Sequence, residues 1–67
     1  MTKFEKRYGW TAKPNYRNVY DNVKRMLAQF DRLVSCEEVL KAVYDYFGAD
    51  NMIHDAAIEG WLDFYTN

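Results

Sequence analysis

From Tyr16 to Phe30 the residues Tyr16, Val19, Tyr20, Val23, Met26, Leu27 and Phe30 recur at steps of three and four. At ~100° per residue they fall on one helical stripe about 120° wide, so this stretch buries a single face against something else. Asn15, directly after Pro14, is the natural N-cap, and Arg17, Asn18, Asp21, Asn22, Lys24, Arg25 and Gln29 take the rest of the circumference. The pattern predicts a helix over residues 15–31.

A second start signal follows at once. Ser35 with Glu38 forms a capping box, in which the hydroxyl accepts from the amide of residue 38 and the carboxylate returns to the amide of residue 35. Val34 and Val39 stand where a hydrophobic staple needs apolar residues. Val39, Leu40, Val43, Tyr46 and Phe47 make one face, Glu37, Lys41 and Asp45 step by four along the other, and Gly48 suits the left-handed residue that closes a helix. This predicts a helix over 36–47.

The third predicted helix covers 50–65. Ile53, Ala57, Trp61 and Phe64 form one stripe and Ile58, Leu62 and Tyr65 a second, together spanning half the circumference, which is wide for a peripheral helix. Asp55, Glu59 and Asp63 line the polar strip at steps of four and repel one another unless something basic lies nearby. Gly60 costs ~1 kcal/mol of helix stability relative to Ala, and its place suggests close approach of a neighbouring backbone.

Short linkers between these segments favour adjacent antiparallel helices. The expected fold is therefore all-α, a compact three-helix bundle (about 15–31, 36–47, 50–65) within residues 15–67, preceded by an irregular or extended basic-aromatic arm over 1–14. Gly9 and Pro14 interrupt regular structure in that arm. A helix-turn-helix arrangement of the second and third helices is the competing geometry.

Charge divides the chain. Residues 1–26 hold seven cations against Glu5 and Asp21, a net of +5, while the remainder holds Arg32 and Lys41 against eight carboxylates, a net of −6. Such a chain folds its basic segment onto its acidic helices or offers each to a different charged partner. At 67 residues it is one domain, and a domain this size hides only about 60% of its unfolded surface. Two Trp, six Tyr and four Phe exceed what so thin a core can enclose. Cys36 has no disulfide partner, residues 1–14 lack a signal-peptide apolar run, and no stretch approaches the ~20 apolar residues of a membrane span. A cytoplasmic protein without membrane contact is expected.

The arm interleaves Lys3, Lys6, Arg7 and Lys13 with Phe4, Tyr8 and Trp10, a composition that grips single-stranded nucleic acid. Its bland counterpart is intramolecular: those charges complement the acidic strip of helix 50–65 while the rings cover apolar surface. Groove reading of DNA is disfavoured, because the outward residues there are Asp55, Glu59 and Asp63. Those carboxylates could instead stand in for phosphates toward another protein, or be plainly solvated. His54 reads as a packed histidine satisfied by a backbone or tyrosine oxygen, and Cys36 as a small buried hydrophobe.

No catalytic, cofactor-binding or metal-ligating set emerges, so an enzyme is not expected. The residues expected to meet a partner are Arg7, Tyr8, Trp10, Tyr44, Asp55, Glu59 and Asp63, Tyr44 and Trp10 because exposed rings dominate binding energy. The expected function is a small non-catalytic module that docks on a larger protein and modulates or inhibits it. Small virus- or mobile-element-encoded modulators of host proteins share this character, by composition alone. The alternative is single-stranded nucleic-acid binding by the arm, and the wide apolar arc of helix 50–65 suggests a homodimer through that helix.

Overall fold

The computed structural model describes residues 3–11 and 13–66, with side chains from Glu5 onward; the expectations attached to the side chains of Lys3 and Phe4 lie outside the described residues. Among the described residues the chain is all-helical: α1 (Lys3–Tyr8), α2 (Tyr16–Leu27), α3 (Cys36–Phe47) and α4 (Asn51–Thr66). Helices α2, α3 and α4 form the three-helix bundle and α1 lies in the arm.

Each bundle helix starts where its cap dictates. The Asn15 side chain accepts from the Asn18 amide at 2.9 Å, the Ser35 hydroxyl from the Glu38 amide at 3.2 Å, and the Asp50 carboxylate from the Met52 amide at 2.9 Å. Both Glu38 carboxylate oxygens accept from Arg32 instead, so the hydroxyl half of the capping box is the half seen here. Helix α2 stops at Leu27, short of residue 31, because Gln29 and Phe30 bond the carbonyls three residues back, Met26 and Leu27. That tighter winding ends the helix and swings Phe30 toward the arm, its ring 6.2 Å from that of Tyr8. Gly48, at φ +96°, closes α3 with its amide on the Tyr44 carbonyl.

Helix α4 is the central element. It packs on both α2 and α3, which touch each other far less. This accounts for its broad apolar arc within a single chain, since one side serves each neighbour. The contact with α2 is close: a Cβ on Gly60 would stand 3.0 Å from the Tyr20 carbonyl oxygen and 3.3 Å from Val23 Cβ.

The buried core is built mainly of Val19, Val23, Leu27, Val39, Val43 and Ile53, with Ala56 and Ala57. Among the described aromatic side chains only Trp10 is fully buried, Tyr16 is exposed, and the others sit half-buried around the core. The rings thus form a belt, as the small interior requires.

Within the arm, residues 3–8 wind into a short helix that Gly9 ends at φ +71°. Six residues do not hold a helix alone. Here Glu5 accepts from the Tyr46 hydroxyl at 2.7 Å, and Lys6 and Arg7 occupy the last turn, where the helix dipole favours cations.

Candidate interaction site

The arm is fastened to the bundle by α2 and α3. Asn18, Asn22 and Arg25, at steps of four and three, share one side of α2 and read the arm's carbonyls. The Asn18 amide donates to the carbonyls of Thr11 and Lys13, the Asn22 amide to that of Thr11 at 3.1 Å, and Arg25 to that of Gly9 at 3.2 Å. Asn22, which the helical wheel assigns to the polar side, is wholly buried. The sequence carried a signal for this in two amides four residues apart, the spacing that puts side chains on one helix face.

Trp10 is 3% exposed. Its ring stacks on Phe47 at 5.7 Å and meets the edge of Tyr46 at 5.1 Å, while Tyr8 packs between Trp10 and Phe30. Of the expected contact residues in the arm, Trp10 is therefore a core residue, Tyr8 is half-buried and Arg7 is exposed beside the Tyr8 ring. The arm does fold back on the chain, but its rings do the anchoring, on Phe30, Tyr46 and Phe47.

The acidic strip of α4 faces two tyrosines of α2. Tyr16 faces Glu59; partial desolvation first and then that carboxylate raise the phenol above its ordinary range, and Asp55 and Asp63 push the same way. Tyr20 donates its hydroxyl to Asp63. Arg17 and Lys24 stand over the Tyr20 ring, at 5.7 and 5.2 Å from its centroid. The strip therefore meets phenol groups of α2, with Arg17 and Lys24 one ring further away, while Asp55 and Glu59 keep their exposure.

Tyr44 and His54 form a pair. The Tyr44 hydroxyl and His54 Nδ1 are 2.6 Å apart and the rings are nearly parallel, at 18°. The bond ties the end of α3 to the start of α4 across Gly48 and holds Tyr44 half-buried. The tyrosine oxygen that His54 calls for is thus supplied by the residue singled out for contact. Cys36 is half-buried, and desolvation pushes its thiol pKa up, away from nucleophilic character. Among the described residues no group of three or more His, Cys, Asp or Glu could hold a metal ion.

One feature escaped the sequence reading. Trp61 donates its indole N–H to the Val34 carbonyl at 2.7 Å, and the Tyr65 hydroxyl accepts from the Val34 amide at 2.9 Å. Two rings of α4 thereby clamp both polar groups of one loop residue. Val34 turns inward and its neighbour Leu33 stands 79% exposed; Leu62, between the two clamping rings in sequence, is 46% exposed. Beside Leu33, Arg32 grips Glu38 through two bonds of 2.9 and 3.2 Å. The hydrogen bond to Arg32 is the largest cause that holds the Glu38 carboxyl below its usual range; desolvation opposes it, and the Arg32 charge and the Ser35 cap add smaller lowering effects. Leu33 lies between helical stripes, so periodicity gives it no side, and only the clamp on Val34 turns it outward.

No family model matches the chain, and comparison with curated proteins and with solved structures finds no match either. None of the described helices is long and apolar enough to cross a membrane.

Proposed function

We propose that this chain is a non-catalytic protein-binding module that docks on a larger protein through the surface around Leu33 and modulates or inhibits it. The observation that supports this is the clamped presentation of Leu33, 79% exposed next to a residue whose amide and carbonyl are both held by α4. A lone exposed leucine is ordinary. This one sits on a loop held by α4, beside the half-buried Trp61 and Tyr65 that grip Val34 and next to the Arg32–Glu38 ion pair, while Leu62 of α4 is the other exposed leucine among the described residues. Covering such a side chain returns roughly 1.5 to 3 kcal/mol, and a loop already fixed loses little entropy on docking. The ion pair supplies the polar rim that surrounds apolar anchors in interfaces.

In this reading Trp10 supports the fold, while Arg7, Asp55 and Glu59 offer charges away from the apolar anchors. The arm-based nucleic-acid reading has less to work with, since Tyr8 already packs against Phe30 and Trp10 already stacks on Phe47. The test is native capture from source cells with the tagged chain and its Leu33→Ser/Leu62→Ser variant. A protein retained by the first and lost by the second is expected. Identical retention by both would refute the reading.

A further inference from the structure

A second surface lies along α2. Arg17, Tyr20, Lys24, Arg25 and Ala28 line a shallow groove of about 540 Å³, with Phe64 of α4 opposite and Asp21 on its wall. Three cations against one carboxylate give this lining a net positive charge. Among the described residues the ion pairs are Arg17–Asp21 and Arg32–Glu38, so the Lys24 ammonium rests on the Tyr20 ring without a carboxylate partner of its own.

We infer that this groove binds an acidic amphipathic peptide segment, with carboxylates on Arg17, Lys24 and Arg25 and apolar side chains on Ala28 and Phe64. The inference rests on the reading of the chain as a protein-binding module and gives it a second contact of defined chemistry. Charge complementarity is the first support. Spacing is the second: Arg17 and Lys24 leave α2 seven residues apart, about 10 Å between backbone positions, the interval at which a helix laid alongside presents side chains two turns apart. Arg25 is already positioned by Asn22 and the Gly9 carbonyl, and Arg17 and Lys24 by the ring, so little side-chain freedom is lost on binding.

Nucleic acid fits the same groove less well. The Tyr20 ring already carries two cations, which leaves it poorly placed to stack on a base, and Asp21 would face the continuous charge of a phosphate backbone. A peptide can place carboxylates opposite the cations and neutral residues opposite Asp21.

The test is fluorescence anisotropy with a labelled synthetic helical peptide bearing Glu at positions i and i+7 flanking a Leu-Phe face. The same peptide with Gln for Glu, and an oligo(dT) strand, serve as comparison probes. The acidic peptide is expected to bind saturably, the Gln peptide at least tenfold more weakly, and Lys24→Glu/Arg17→Glu or Ala28→Glu to weaken binding at least tenfold with helicity unchanged. Arg17 and Ala28 are exposed and Lys24 is half-buried, so Ala28→Glu keeps the test decisive if the charge reversals disturb the α2–α4 contact. Leu33→Ser/Leu62→Ser is expected to keep full peptide binding, which separates failure of the groove from failure of the Leu33 surface. Absence of saturable binding, equal affinity for the Gln peptide, or preference for oligo(dT) would each overturn the inference.

Discussion

Gly60 of α4 meets Tyr20 of α2 with no room for a side chain, since a Cβ there would lie 3.0 Å from the Tyr20 carbonyl oxygen. The same tyrosine bonds Asp63 three residues further along α4 and carries Arg17 and Lys24 on its ring. Tyr20 therefore sits at the closest point of the main helix contact and joins α4 through its hydroxyl while two cations of α2 rest on its ring.

Substitution of Gly60 should weaken the fold although every alternative except proline is a better helix former. Ala gains ~1 kcal/mol of propensity but sets a methyl against backbone that cannot rotate away, a strain of about 1 to 3 kcal/mol. Gly60→Ala is expected to lower unfolding free energy by about 1 kcal/mol and Gly60→Val by more than about 2 kcal/mol in urea titrations. A stabilised Gly60→Ala would mean that α2 and α4 do not approach this closely.

Trp10 should behave as core. Trp10→Ala removes the ring stacked on Phe47 and edged by Tyr46, a loss of about 3 to 5 kcal/mol that a domain of this size can barely survive. Thermal unfolding followed by circular dichroism should show a large fall in midpoint, and deletion of residues 1–14 a similar one. Full retention of stability without the arm would show that it is dispensable to the fold.

The clamp on Val34 should be measurable one bond at a time. Tyr65→Phe leaves the buried Val34 amide unpaired and is expected to cost about 1 to 3 kcal/mol, with faster hydrogen exchange at that amide. Trp61→Phe removes the other bond and should loosen the same loop. Unchanged exchange at Val34 in both variants would mean that the loop is held by something else.

Acid should loosen the Arg32–Glu38 pair. The Glu38 carboxyl is held below its ordinary range, so its contribution is present above the unfolded pKa of about 4.3 and is lost as pH falls through the lower folded value. Stability measured from pH 7 downward should fall less steeply in Glu38→Gln than in the parent, by a modest amount because the pair is exposed. Tyr16 has the opposite sign: its raised phenol contributes below about pH 10 and the contribution is lost above, so Tyr16→Phe should flatten the alkaline limb.

Much of the bundle was legible because local signals carry it. The caps at Asn15 and Ser35, the glycine stop at Gly48 and the close approach at Gly60 each depend on a few neighbouring residues or one helix face. Burial of Asn22, pairing of Tyr44 with His54 and exposure of Leu33 depend on contacts across 10 or more residues, which no periodicity encodes. The end of α2 moved to Leu27 because Phe30 has a ring to meet in the arm, and α1 forms because Tyr46 is there to hold Glu5.

The central claim is that the clamped Leu33 surface is where this protein meets another. A photo-crosslinking amino acid placed at Leu33, with the same probe at the exposed Asp45 as control, tests it most directly in source cells. The account predicts one discrete protein adduct from position 33, competed away by excess untagged chain and absent from position 45. Adducts of equal pattern from both positions, or only adducts of the chain with itself, would contradict it.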